Sequence, residues 1–274
     1  MKFAYYIKND SLCADPRIDA LLGRLDGGGA EVYPVRSAVE ILPSTDGLLS
    51  LGGDGTFLMA SKLAVQADIP ILGVNFGRLG FLSEALPEEL PQALLRGELR
   101  VEERELLQVL TDDGAAADSW PYALNETSVS RDGASMLGID VEIDGSPLPT
   151  YWADGLLVAT SSGSTAYSLS VGGPICTPDS KVFIVAPISP HNLNVRPLVV
   201  PQTTRISISL RSREERAMFS IDNRNRRISA GTRITVSEAP VRLKRLCSGR
   251  SSFINALRTR LLWGEDVRNG NESR

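Results

Sequence analysis

The sequence predicts two parts of different class: an α/β part at the N-terminus, then an all-β part, closed by a C-terminal helix. Three observations predict this. Residues 1–98 alternate strand-like and helix-like stretches. From Leu99 to about Leu246 the pattern becomes short alternating runs separated by turn signals. A clear helical signal returns at Phe253–Trp263. A length of 274 residues suits one large domain or two ordinary ones and buries a core without staples. The boundaries are placed at residues 1–98, 99–250 and 251–274.

Phe3–Ile7, Glu31–Val35 and Gly47–Leu51 are short apolar runs, and the third ends in a glycine-rich turn. Phe57–Ala67 follows, with Phe57, Leu58, Leu63, Ala64 and Ala67 at helical spacing. Ile69–Val74 is apolar and rich in β-branched residues, as in a strand buried on both faces. Pro87–Arg96 reads as a helix, with Gly97 at its C′ position. Strand, helix, strand in this order predicts a Rossmann-like parallel sheet with helices on its faces. Gly27-Gly28-Gly29 reads as a loop. In the second part, Asp112-Asp113-Gly114, Asp132-Gly133 and Asp144-Gly145 read as hairpin turns. Ile206–Leu210 alternates strictly, and only Thr165–Val171 looks helical there. This predicts a β-sandwich. The last helix is expected to pack back on the first part.

Composition removes several classes. A hydrophobic share of 42% and a charged share of 23% are those of a globular chain. Cys13, Cys176 and Cys247 form no CxxC pair, so a zinc ribbon and a redox dithiol are excluded. The apolar run at the N-terminus stops at Lys8, too short for a signal-peptide core. No stretch approaches the roughly 20 apolar residues of a membrane span. A cytoplasmic protein without a membrane partner is expected. The glycosylation triplets at Asn9, Asn125 and Asn271 are then chance matches. Residues 1–200 hold 13 Lys+Arg against 26 Asp+Glu, and residues 201–274 hold 16 against 7. The basic residues fall in alternating segments without interleaved aromatics, which argues against nucleic acid. Contact between the acidic part of one subunit and the basic part of another is expected instead.

Missing motifs narrow the chemistry further. A single histidine, His191, excludes HExxH and multi-histidine metal sites. No GxSxG elbow, Walker A loop or GxGxxG fingerprint occurs. Phosphate must therefore be bound by backbone, with a carboxylate brought to it. Leu51-Gly52-Gly53-Asp54-Gly55-Thr56-Phe57 sits between an apolar strand and a helix and supplies both. Glycines let the backbone turn sharply and approach a ligand. Their amides, with the helix N-terminus, make an anion site that needs no lysine. Asp54 repels phosphate, so it either holds a metal ion or accepts a proton from an attacking hydroxyl. The alternative is that Asp54 or Thr56 is simply a helix N-cap.

GGDGT resembles the motif shared by NAD kinases, lipid kinases and, in a variant form, phosphofructokinases. A longer ordered series is more specific. It comprises Gly73-Val74-Asn75-Phe76-Gly77-Arg78-Leu79-Gly80-Phe81-Leu82, then Leu124-Asn125-Glu126, then Asp154-Gly155. Ser162-Gly163-Ser164-Thr165-Ala166-Tyr167-Ser168-Leu169-Ser170 follows, with Pro187–His191 and Arg196–Val199 after it. Across residues 45–200 this resembles the NAD kinase family.

The resemblance implies phosphoryl transfer from ATP, another nucleotide or polyphosphate to the adenosine 2′-hydroxyl of NAD. It implies Asp54 as catalytic base. Gly52, Gly53, Gly55 and Thr56 would hold the donor phosphates. Asp54, Gly55, Phe76, Asn125, Glu126, Asp154, Thr165, Ala166, Tyr167, Ser168, Leu169 and Ser170 would bind NAD. Glu126 is read as an acceptor for two ribose hydroxyls. Mg²⁺ or another divalent ion is expected with the donor, its protein ligands unassigned. A homodimer or homotetramer is expected. Trp152 stands where many relatives carry a basic residue, and His191, Arg196 and Asp222 receive no role. The rival readings are a GGDGT-type lipid or sugar kinase and a non-catalytic dinucleotide sensor.

Overall fold

The computed structural model describes residues 1–77, 80–114, 120–248 and 253–264. Its first strands form where the sequence is apolar on both faces. β1 (Lys2–Ile7), β2 (Glu31–Pro34), β3 (Gly47–Gly52) and β4 (Ile71–Asn75) are all parallel, in the order β2-β1-β3-β4. Every residue of β3 and β4 is buried, as in the middle of a sheet covered on both faces. Between them runs α2 (Asp54–Gln66), which begins three residues before its apolar spacing does.

α1 (Pro16–Gly27) joins β1 to β2 where the sequence reading assigned no helix. Asp15 caps it, Pro16 opens it, and Ile18, Leu21 and Leu25 are its buried stripe. Gly27-Gly28-Gly29 is therefore a helix terminus rather than a free loop: Gly27 is the last helical residue, Gly28 the cap, and Gly29 turns with φ +81. α3 is shorter than the predicted Pro87–Arg96 and spans Leu90–Leu95. Gly97 does sit at its C′ position with φ +62, closed by Glu98 N–H to Ala93 and Gly97 N–H to Leu94.

The remaining chain is β-rich. β5 (Leu99–Thr111), β6 (Tyr122–Ala123), β7 (Glu126–Arg131), β8 (Leu137–Ile143), β9 (Ser146–Pro147), β10 (Tyr151–Ala153) and β11 (Gly155–Thr160) come first. The four-residue helix α4 (Tyr167–Ser170) interrupts them, less than the predicted Thr165–Val171 because Ser162–Thr165 winds as a 3-10 turn. β12 (Val182–Ile188), β13 (Leu198–Pro201), β14 (Ile206–Arg211), β15 (Arg216–Ile221), β16 (Arg224–Ser229) and β17 (Ile234–Ser248) follow, and α5 (Phe253–Leu261) is last.

Contacts divide the chain into two units, Met1–Glu102 with Lys244–Arg274, and Glu103–Leu243. The end of β17 and α5 thus belong with the parallel strands, and Arg245 pairs in parallel with Ile71 of β4. Residues 265–274 of the predicted tail lie outside the described residues. In the second unit one sheet has the order β13-β12-β11-β7-β15-β16, and β10-β8-β14-β17 form a facing layer. Val129, Phe183 and Phe219 from the first meet Ile139, Val141 and Ile206 from the second in one core.

Asp144-Gly145 is a two-residue hairpin turn, both residues with positive φ. Asp132-Gly133 is not a hairpin turn: β7 pairs with β11 and β15, so the chain crosses there to the other sheet. The basic strands also find an account within the chain. Arg227 pairs with Asp132, Arg233 with Glu142, and Arg242 with Glu103 and Glu105. These ion pairs within the chain meet part of the charge asymmetry. Among the described residues no helix is long and apolar enough to cross a membrane.

Candidate active site

The first unit gathers the glycine loop at the open end of its parallel sheet. Gly52 ends β3 with φ +154 and lies against Thr56, whose side chain a Cβ would overlap. This tight turn presents Gly53 as the N-cap of α2 and places Asp54 in its first turn. No side chain caps the helix, so the N-cap alternative for Asp54 and Thr56 fails. The Asp54 and Gly55 amides have no acceptor within the helix by geometry, while Thr56 N–H donates to Gly53 C=O at 2.9 Å.

The Asp54 carboxylate turns instead to the segment after β4. Its Oδ2 accepts from Phe81 N–H at 2.7 Å, and its Oδ1 accepts from Leu82 at 3.0 Å and Ser83 at 2.9 Å. Gly80 lies so close to the carboxylate that a Cβ would overlap it. Three bonds use three of about four acceptor positions, which leaves Oδ2 one lone pair. Asn75 Oδ1 accepts from Gly77 N–H at 2.8 Å and shapes the same turn. Phe76 is buried in the core with the Arg17 guanidinium over its ring, so its side chain is packing. Arg78 and Leu79 of the motif lie outside the described residues.

The second unit gathers the others. β7 alternates, so Glu126, Ser128 and Ser130 share one face, and antiparallel β15 sets Ser220 and Met218 beside them. With Tyr167 and Asn225 these line a cavity of about 360 Å³. Leu157, Ala159 and Ile184 continue that face as an apolar strip. Thr165 and Ala166 are half-buried, Tyr167 and Ser170 are exposed, and Leu169 is half-buried. Ser168 is fully buried, its hydroxyl packed where Gly173 leaves no room for a Cβ. Asp154 forms an ion pair with Arg131 at 2.8 Å.

Asn125 and Glu126 are held by two devices that the sequence reading did not assign. The Asp222 carboxylate accepts from three successive amides, Leu124 at 3.0 Å, Asn125 at 2.9 Å and Glu126 at 3.3 Å. Gly163 lies directly on the Asn125 backbone, where a Cβ would overlap the carbonyl oxygen. Thr160 donates from its hydroxyl to Leu124 C=O at 2.6 Å and accepts from Gly163 N–H at 3.1 Å. The sequence signals were the Asp222-Asn223 turn and the Gly163 between serines. Trp152 is also accounted for: its ring lies over Gly138, whose Cβ would approach it to 2.9 Å.

Burial, and after it the Asp222 charge, pushes the Glu126 carboxyl up to about 8, while the Tyr167 amide draws the other way. Asp222 is itself raised by burial despite its three amide bonds. A carboxyl raised this far favours its protonated form near neutral pH, in which it can donate a hydrogen bond as well as accept. Among the described residues its Oε2 has no hydrogen-bond partner.

Comparison with known proteins joins the two halves. The family model of the ATP-NAD kinase N-terminal domain matches residues 38–97, and that of the ATP-NAD kinase C-terminal domain matches residues 124–246. An NAD kinase of Porphyromonas gingivalis is 42% identical over 273 residues, covering 92% of this chain and 94% of the relative. One from Bacteroides fragilis is 44% identical over 227 residues, covering 81% and 78%. The crystal structure of an NAD kinase from Archaeoglobus fulgidus in complex with ATP superposes with a TM-score of 0.74 at 30% identity, over 91% of this chain and 95% of that one. Yeast NADH kinase complexed with NADH shares the fold, with a TM-score of 0.83 at 21% identity over 100% and 90%. The GGDGT loop, the Asn-Glu pair and the Gly-Ser-Thr-Ala-Tyr segment thus stand within two matched domains, and the chain belongs to the NAD kinase family.

Proposed function

We propose that the chain transfers the terminal phosphoryl group of ATP to the adenosine 2′-hydroxyl of NAD, with Asp54 as the base. The observation that carries this is the Asp54 carboxylate, oriented by three amides and left with one lone pair on Oδ2. A carboxylate so held needs no reorganisation to accept a hydroxyl proton, and a general base contributes about 10²–10⁴ in rate. Phosphoryl transfer has a loose transition state, so positioning and charge neutralisation supply the rest. The amides of Gly53 and Gly55 and the Thr56 hydroxyl are the donors read as holding the donor phosphates.

A divalent cation such as Mg²⁺ would neutralise the charge on those phosphates. Among the described residues no group of three or more His, Cys, Asp or Glu side chains could cage a metal ion. This fits an ion carried on the nucleotide with at most one or two carboxylates.

Glu126 and Asn125 are read as ribose ligands, with Tyr167 at the rim of the cavity available to stack. Asp154 would exchange its Arg131 partner for a substrate hydroxyl. The assay is NADP formation from NAD and Mg²⁺, with ATP and polyphosphate offered in parallel. NADP from ATP supports the reading, and NADP from polyphosphate alone would replace the donor. No NADP from a folded, NAD-binding protein would favour a dinucleotide sensor. Assembly into a homodimer or homotetramer, which the resemblance implies, is tested by light scattering.

A further inference from the structure

The segment that holds Asp54 is itself clamped from behind. Leu82 donates its N–H to Asp54, and its carbonyl accepts from the Arg245 guanidinium at 3.1 Å. The next charged residue, Glu84, pairs with Arg245 at 3.1 Å and with Arg260 of α5 at 3.5 Å. All three side chains are largely buried, with 17%, 7% and 8% of their surface exposed. The Arg260 guanidinium also lies 5.0 Å from the centre of the Phe81 ring, and Phe253 of the same helix packs on that ring at 6.2 Å. Ala85 then pins the segment to the sheet, donating to Gly73 at 3.0 Å and accepting from Asn75 at 2.8 Å.

Two guanidinium groups share the Glu84 carboxylate here, with the Glu102 charge also acting on Arg245 and the Asp54 charge on Arg260. Among the described residues neither Arg245 Nε nor Arg260 Nε has a hydrogen-bond partner. A fold seeking stability alone gains little from such a cluster, because the desolvation of buried ion pairs offsets much of their attraction. Burial lowers the Arg260 guanidinium, while the Glu84 charge and after it the Asp54 charge favour its charged form.

We infer that Glu84 and Arg260 are positioning residues for Asp54: α5 carries Arg260 against the Phe81–Glu84 segment, and that contact sets the three amides which aim the carboxylate. Arg245 is the deeper anchor of the same clamp. The role is indirect, since neither residue touches Asp54 by a hydrogen bond. It rests on the reading of Asp54 as the base.

The test is steady-state kinetics of the full chain carrying Arg260→Met, Arg260→Lys or Glu84→Gln, with Asp54→Asn as control. Arg260→Met and Glu84→Gln are expected to lower kcat about tenfold or more, since small misplacements of a reacting group cost up to about 100-fold. KM for NAD is expected to stay within about twofold, because Glu84 and Arg260 are not among the residues read as binding NAD and most of those lie in the other unit. Arg260→Lys keeps the charge and should recover part of the loss. Wild-type kcat in both Arg260→Met and Glu84→Gln would overturn the inference while Asp54→Asn stays inactive. A loss that Lys does not relieve, with KM raised and the melting temperature lowered, would mark a merely structural cluster and also overturn it. Turnover retained in Asp54→Asn would instead refute the base reading itself.

Discussion

Replacing Glu126 by Gln removes a buried ionisable group while keeping its shape, and the consequence for stability can be worked from its surroundings. Glu126 is 9% exposed, faces the Asp222 carboxylate, and its carboxyl is pushed from an ordinary 4.5 up to about 8. Between those two values the folded chain keeps a proton that the unfolded chain has lost. The Glu126 contribution to stability therefore falls as pH rises from about 4.5 to about 8 and is flat on either side. At 1.36 kcal/mol per pH unit the full cost is about 5 kcal/mol above pH 8 and about 3 kcal/mol at pH 7. Relaxation around the carboxylate trims this. The stability gain of Glu126→Gln over wild type should thus be near zero at pH 5 and about 2–3 kcal/mol at pH 8.5. For a chain of this size each kcal/mol moves the melting point by about 2–4 °C, so the two melting curves should separate by about 5–10 °C. Fluorescence-detected melts suit the measurement, because Trp120 and Trp152 lie in the unit that holds Glu126. A difference between variant and wild type that stays constant from pH 5 to pH 8.5 would refute the buried, proton-holding Glu126.

Three further outcomes are expected. If NAD hydroxyls donate to an ionised Glu126, binding at pH 7 expels its proton. Calorimetry in buffers of different ionisation heat should find up to about one proton released and affinity rising from pH 6 to pH 8, and proton uptake would reverse the assignment. Asp54→Asn should keep the fold and NAD binding but lose about 10²–10⁴ of kcat, and near-normal turnover would remove Asp54 from the base role. Gly163→Ala forces a Cβ into the Asn125 backbone. It should cost about 1–3 kcal/mol and raise KM for NAD, and an unchanged melting point would contradict the close approach.

Much of the architecture was legible from local pattern. β3 and β4 are continuous apolar runs because both faces of the sheet are covered, and β14 alternates because only one face is. α1 was missed although Asp15-Pro16 followed by Ile18, Leu21 and Leu25 is a capped amphipathic pattern, obscured by the three glycines that end it. Asp132-Gly133 was not legible, since a turn of that composition serves a hairpin and a crossing between sheets equally well. The pairing of β8 with β14, far along the chain, and with β10 decides it here.

The residues that carry the chemistry divide in the same way. Residue type and order pointed to Asp54, in a glycine loop between strand and helix, and the family resemblance carried by local motifs named Asn125 and Glu126. Their state was not local. Asp54 is held by amides 27 to 29 residues away, and Asn125 and Glu126 by a carboxylate 96 to 97 residues away. Whether a carboxylate is ionised, how many of its lone pairs remain and what it faces depend on burial and on neighbours brought from distant segments. Periodicity reports only how each segment meets its own sheet or helix, so the placement of Asp222, Glu84 and Arg260 waited on the packing of the whole chain.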